Sequence, residues 1–426
     1  MEVLDSGITA WMLVSASFVL LMTPGLAFFY GGMVRGKSVL NTMMMSFGAM
    51  AVVGVIYVLW GWSMSYATGS VGGFFGNPFE QFGLKGLIEW TPDGITSPIS
   101  DGLPAIVDVG FQVTFAMITV ALISGAIAER VRIGAWLLFT AVWVTLSYFP
   151  LAHMVWGGGI LSDEGWFASI AGPIDFAGGT VVHINAGVAA LVLVLLIGKR
   201  RGFGTEPMKP HNLPFVMLGA ALLWFGWFGF NAGSAYGADA AAGVAWVNTT
   251  TAAAAAVGGW LLTEKIRDGK ATSLGAASGI VAGLVAITPA AGDVHPIGAI
   301  VLGLVAGGLS ALAVGLKYKL GYDDSLDVVG VHLVAGLWGT VALGLFATDG
   351  RGLFLGGGLS QLWVQILIAV VAIVFAAVMT LISYGVVKVF IPWRVSEETE
   401  LKSIDLGEHG ESAYETAGAR ALGEVK

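Results

Sequence analysis

The sequence predicts an all-α membrane protein of eleven transmembrane helices, the first ten built as an inverted five-plus-five helix repeat with a final helix added. Three observations carry this: composition, long charge-free runs, and a short pattern that occurs twice. Of 426 residues, 56% are hydrophobic and 11% charged, with a mean hydropathy of +0.82, which leaves too few charges to cover a soluble particle of this size. The apolar runs are about 20 or more residues long without the polar alternation of a barrel strand, which excludes an outer-membrane β-barrel. The 63 glycines are roughly twice the usual share and suit helices packed backbone to backbone. With no cysteine, disulfides and thiolate metal sites are excluded.

In chain order, stretches free of Asp, Glu, Lys and Arg cover residues 8–30, 39–67, 109–128, 133–161 and 176–198, then 213–238, 240–263, 271–292, 296–316, 328–348 and 352–387. Each is long enough to cross about 30 Å of hydrocarbon. Only Asp239 separates the sixth from the seventh. If the loops after odd-numbered spans are cytoplasmic, all 20 lysines and arginines lie on that side except Lys85 and Arg351, with Arg420 and Lys426 among those in the tail. The positive-inside rule then places the N-terminus outside and the C-terminus in the cytoplasm, as an odd span count requires. The start, Met1-Glu2-Val3-Leu4-Asp5, lacks a basic leader region, so the first span is expected to be retained. The chain thus divides into a transmembrane domain, 1–391, and a C-terminal tail, 392–426, rich in Glu, Gly and Ser, whose order depends on docking.

The repeat rests on Asp175, eight residues before His183 in Val182-His183-Ile184-Asn185-Ala186-Gly187, and Asp324, eight before His332 in Val331-His332-Leu333-Val334-Ala335-Gly336. A unit of five spans is odd, so the second copy enters the membrane from the opposite face. Inverted repeats place matching residues near the midplane, so the two histidines are expected to meet. Ionisable groups inside spans default to function, and His153, His183 and His332 are the ones present. His153 reads as structural, near the end of the fourth span; the repeated pair reads as functional. A two-histidine metal site is the competing reading, and it lacks a third ligand. Asp175, Asp324 and Asp327 read as helix caps.

A second constellation gathers at one end of the helices: Phe111 and Phe115 one turn apart, Trp156 ending the fourth span, and Trp227, Phe230 and Ser234 at i, i+3 and i+7. An aromatic interface belt explains any one of them. Together, without acids, they suit a small cation held by ring faces and one hydroxyl. Gly31-Gly32-Met33-Val34-Arg35-Gly36-Lys37-Ser38 satisfies the phosphate-loop pattern, but the required strand is missing because the segment joins two spans. Asn248-Thr249-Thr250 lies within a span, so its glycosylation pattern is incidental.

The sequence resembles the ammonium transporter family (Amt/Mep/Rh), its prokaryotic Amt branch above all. The resemblance runs through Thr23-Pro24-Gly25, Phe29-Tyr30-Gly31-Gly32, Ala128-Glu129-Arg130, Ala152-His153-Met154-Val155-Trp156, Asp175-Phe176-Ala177-Gly178-Gly179-Thr180, Lys209-Pro210-His211-Asn212-Leu213-Pro214 and Gly226-Trp227-Phe228-Gly229-Phe230-Asn231-Ala232-Gly233-Ser234. It implies a homotrimer with one pore per subunit. It also implies recruitment of ammonium, or of its analogue methylammonium, by Trp156, Phe115 and Ser234, with Phe111 lining the vestibule. Phe115 and Phe230 would form the gate, and His183 and His332 the paired histidines of an apolar lumen. Asp175 matches the family's supporting acid near the site, and Trp227 and Asp324 are expected to be structural supports as well.

The resemblance further implies residence in the cytoplasmic (inner) membrane lipid bilayer, a tail segment from Asp405 to Tyr414 that couples subunits, and a PII-type regulator on the cytoplasmic face. No cofactor, catalytic residue, enzymatic activity or nucleic-acid partner is expected. The outer loop around 83–101 and the segment 162–173 look longer than the bacterial pattern. Ammonium would shed its proton and cross as ammonia, with or without separate passage of the proton. A passive gas channel of the Rh type and an ammonium sensor signalling through its tail are the alternatives.

Overall fold

A computed structural model describes residues 3–414; Met1, Glu2 and the tail from 415 onward, with Arg420 and Lys426, lie outside the described residues. Among the described residues eleven helices are long and apolar enough to cross a membrane: Ser6–Met33, Val39–Tyr66, Ala105–Ile127, Ile133–Trp156, Gly179–Ile197, Leu213–Ala232, Ala240–Asp268, Ser273–Ala290, Pro296–Leu320, Val329–Phe346 and Ser360–Phe390. The narrow sixth-to-seventh junction is a true boundary, because the Asp239 side chain caps the seventh helix by accepting from the Ala242 amide at 3.0 Å. Among the described residues the strands form three two-stranded hairpins between the second and third spans, and no barrel.

Several ends differ from the charge-free runs. The third helix starts at Ala105, so Asp108 lies in its first turn rather than outside it. The fourth ends at Trp156, where Gly157 and Gly158 follow and Gly158 takes φ 77°. The fifth starts at Gly179, and the eleventh at Ser360, after Gly356 and Gly358 with φ 95° and 68°. Absence of charge reports where a residue is buried, whereas glycine chemistry decides where a helix stops.

The seventh and ninth helices touch at small residues. A Cβ on Gly303 would strike the Ala252 carbonyl and one on Gly307 the Ala256 carbonyl, a small-xxx-small match in which backbones approach without a hydrophobic driving force. Five π-helical turns also interrupt the described spans, at Tyr57–Gly61, Val144–Tyr148, Gly179–Ile184, Phe228–Ala232 and Val329–Leu333. Each adds a residue to its turn and rotates the remainder of its helix, which is how such turns re-aim side chains at functional sites.

The loops after the first, third, fifth and ninth spans meet at one face. Glu129, with a left-handed φ of 67°, accepts from Arg35 Nε at 2.9 Å and from Arg200 at 2.5 Å, while Arg200 also binds Asp323 at 2.7 Å. The tail docks on this same face through two short helices, Glu397–Lys402 and Ile404–His409. Asp405 accepts from the Leu40 and Asn41 amides at 3.0 and 2.8 Å, and the Tyr414 hydroxyl meets His211 at 2.9 Å. Docking therefore gives order to a segment that has no apolar period of its own.

Candidate functional site

The site is built from two broken helices. At the start of the fifth span, Asp175 accepts from the amides of Gly178, Gly179 and Thr180 at 2.8, 2.5 and 2.8 Å and from the Thr180 hydroxyl. Gly178 takes φ 119°, which a side chain would strain, and the π turn Gly179–Ile184 then carries His183 inward. Burial pushes the Asp175 carboxyl up, opposed by these hydrogen bonds.

The tenth span repeats the device. Asp324 accepts from the Val328 and Val329 amides at 3.1 and 2.7 Å, and the π turn Val329–Leu333 carries His332. Burial raises the Asp324 carboxyl to about 6, opposed by Lys317 and reinforced by Asp327. Asp327 differs from the cap expected of it: with φ 66° its side chain turns back to Lys317 Nζ, 2.6 Å away.

Reciprocal glycines let these two helices cross. Gly187, four residues after His183, faces Leu333, where an added Cβ would lie 2.6 Å from the backbone nitrogen. Gly336, four residues after His332, faces His183, where a Cβ would lie 2.9 Å from its Cβ. The crossing brings His183 and His332 together, Nδ1 to Nδ1 at 3.3 Å, with ring centroids 5.5 Å apart; the two residues are 1% and 3% exposed.

Rings continue in one direction from this pair. His183 stacks on Trp227 at 5.5 Å and 17° and neighbours Phe230 at 6.1 Å; Phe230 packs on Phe115 at 4.2 Å; Phe115 meets Trp156 edge-on at 6.4 Å. Trp227 is held by its indole N–H donating to Thr288 at 2.8 Å, and Trp156 by donating to the Asp175 carbonyl at 2.9 Å. Beyond Phe115 opens a cavity of about 430 Å³ on the face away from the tail, lined by Trp156, Phe115 and Ser234.

Ser234 does not continue the helical face of Trp227 and Phe230. The π turn Phe228–Ala232 breaks the i+7 register, and Ser234 sits in the turn beyond it. Its hydroxyl donates to the Phe230 carbonyl at 2.8 Å, leaving the oxygen lone pairs as acceptors. Phe111 does not line the cavity. It is fully buried behind Phe115, 4.8 Å between centroids, and against Tyr236 at 5.8 Å. His153 stands outside the ring series, with one nitrogen 2.8 Å from Ser70 Oγ and the other 3.1 Å from the Ser65 carbonyl.

Sequence reading missed Asp108, Gln112 and Tyr236, which also line the cavity. The first two lie one turn apart, at i and i+4, and Asp108 precedes Phe115 by seven, so a start at Ala105 would have put all three on one helical face. Tyr236 lies in a loop and had no such signal. Among the described residues no group of three or more His, Cys, Asp or Glu is placed to hold a metal ion. The arrangement offers a cavity with a floor of aromatic rings and, beneath it, a buried ring series that ends in two imidazoles.

The model of the Ammonium Transporter Family matches residues 10–414. An ammonium transporter of Mycobacterium bovis is 56% identical, covering 98% of this chain and 92% of that protein, and one of Bacillus subtilis is 47% identical, covering 97% and 99%. Among solved structures, Mep2 of Candida albicans is similar at a TM-score of 0.84 with 33% identity, covering 96% of this chain and 91% of that one. These relatives are transporters rather than enzymes. The chain belongs to the ammonium transporter family.

Proposed function

We propose that the protein recruits ammonium in the cavity of Trp156, Phe115 and Ser234, that the ion gives up its proton at the Phe115 and Phe230 gate, and that ammonia passes His183 and His332 while the proton crosses separately by way of the imidazole pair. The observation that carries this reading is the unbroken ring series from cavity to imidazole pair, buried from Phe115 inward. Moving a bare ion into such a lumen costs about 20 kcal/mol in the Born limit, which two neutral imidazoles do not offset. Deprotonating an amine at neutral pH costs roughly 5 kcal/mol, with lysine as the guide. The cheaper route sheds the charge. Potassium has no proton to lose and is rejected.

The basic residues gathered at the tail face support an N-terminus outside and a tail in the cytoplasm of the inner membrane. The assembly proposed is a homotrimer, with a PII-type regulator reading the tail face. Ammonium-evoked current in proteoliposomes tests the transport reading. Replacing His183 and His332 together by leucine is expected to abolish the current or its selectivity over potassium. Unchanged current with unchanged selectivity would end the role of the pair, and full ammonia permeability without current would favour a passive gas channel.

A further inference from the structure

We infer that Asp108 is the charge-reading group of the cation cavity, aimed by Tyr236 and Gln112, and that it sets affinity for the ammonium ion. The inference rests on the transport reading above and adds a residue to its recruitment site. Asp108 stands in the first turn of the third span and lines the same cavity as Trp156, Phe115 and Ser234. Gln112 Nε2 donates to the Tyr236 hydroxyl at 2.6 Å, and that hydroxyl donates to Asp108 Oδ1 at 2.8 Å. The chain of donors has one direction, because an amide nitrogen can only give a proton, so the phenol must pass its own to the carboxylate.

Tyr236 holds a left-handed φ of 57°, a conformation a tyrosine keeps only where its surroundings fix it. The cavity holds a second acid, Asp175, but both its oxygens are occupied by the amides of 178–181. Among the described residues, no lysine, arginine or histidine lines the cavity, and Asp108 enters no ion pair. Its charge therefore faces aromatic rings and a hydroxyl, and the partner it lacks is a small cation. Ring faces and Ser234 distinguish shape and hydrogen bonding; a carboxylate distinguishes the ion from neutral ammonia and raises the local cation concentration.

Asp108→Asn keeps the shape and the acceptor for Tyr236 while removing the charge. In proteoliposomes the half-saturating ammonium concentration is expected to rise about tenfold, equivalent to about 1.4 kcal/mol, with methylammonium shifting in parallel. The change should fall mainly on half-saturation rather than on maximal current. Tyr236→Phe frees the carboxylate without discharging it and should raise half-saturation by about threefold. It also carries the test if Asp108→Asn fails to fold, which melting of the purified protein will show. An unchanged half-saturation in whichever variants fold, or a loss of maximal current alone, overturns the inference. A wild-type protein with no saturable current would instead refute the transport reading beneath it.

Discussion

The Nδ1 atoms of His183 and His332 face each other across 3.3 Å. Two neutral imidazoles can make that contact only if one carries its proton there and the other does not, which fixes opposite tautomers. The ring that donates through Nδ1 has a bare Nε2, and its partner carries Nε2–H. The two Nε2 atoms thus present one acceptor and one donor, and among the described residues His183 Nε2 has no hydrogen-bond partner. Ammonia is itself both donor and acceptor, so it matches such a pair whichever ring holds the proton.

Replacing one member alone therefore damages both. His183→Leu leaves His332 Nδ1 buried without its partner, and the ammonium-evoked current should fall at least tenfold at equal protein content in liposomes. An unpaired buried polar group costs about 1–3 kcal/mol, so melting should drop as well. A variant with wild-type current would show that the shared proton has no part in conduction.

The gate predicts a different signature. Phe115 lies 4.2 Å from Phe230 and 6.4 Å from Trp156 and lines the cavity, so under the proposed transport reading one ring serves gate and cavity at once. Phe115→Ala removes a cation–π contact of about 2 kcal/mol, which should raise the half-saturating ammonium concentration by tenfold or more. Uptake of radiolabelled methylammonium against concentration measures it. No rise would mean that the ring serves the gate alone.

The helix crossing makes a steric prediction. A Cβ at Gly187 would sit 2.6 Å from both the Leu333 nitrogen and its Cβ, and neither backbone can step aside without moving His332. Gly187→Ala should lower the melting temperature through an overpacking cost of about 1–3 kcal/mol and reduce current by widening the histidine pair. Gly258→Ala, where an added Cβ meets nothing within 4 Å, is the control expected to change neither.

How much of this was legible in the sequence depended on which physical rule each feature obeys. Eleven spans followed from charge exclusion, which the bilayer enforces on every helix alike. Meeting of the histidines followed from the Asp-to-His repeat, since a repeated pattern carries its geometry with it. The spacing of Trp227, Phe230 and Ser234 misled because a π turn leaves no mark in apolar sequence, and one added residue moved Ser234 off the helix. The family resemblance implied Phe111 as a lining residue, yet only the angle of the helix decides which ring faces the cavity, and Phe111 lies buried behind Phe115. Asp108 was missed because a charged residue reads as the end of a span, while its partner Tyr236 arrives from a distant loop.

The ion network at the tail face makes the last prediction, and it depends on pH. Burial raises the Glu129 carboxyl, but Arg200 and Arg35 outweigh it and leave the group below its ordinary value of 4.5. Asp323 is likewise raised by burial and then brought below 3.8 by the hydrogen bonds of Arg200 and the charges of Arg130 and Arg200. A lowered carboxyl contributes stability that is present above its ordinary value and lost as pH falls through its folded one. Glu129→Gln discharges the group permanently and leaves two arginines facing a neutral amide, a loss of about 3–5 kcal/mol for a broken buried pair. At pH 7 the variant should therefore melt well below wild type in detergent. As the pH falls below the ordinary value of 4.5 and through the lowered folded value, the wild-type carboxyl takes up its proton, becomes the electrical equivalent of the variant, and the gap between the two melting curves should close. A gap that stays constant even where acid has protonated Glu129 in the folded protein, as followed by its carboxyl signal, would mean that Glu129 holds the loops of the first, third and fifth spans by shape rather than by charge.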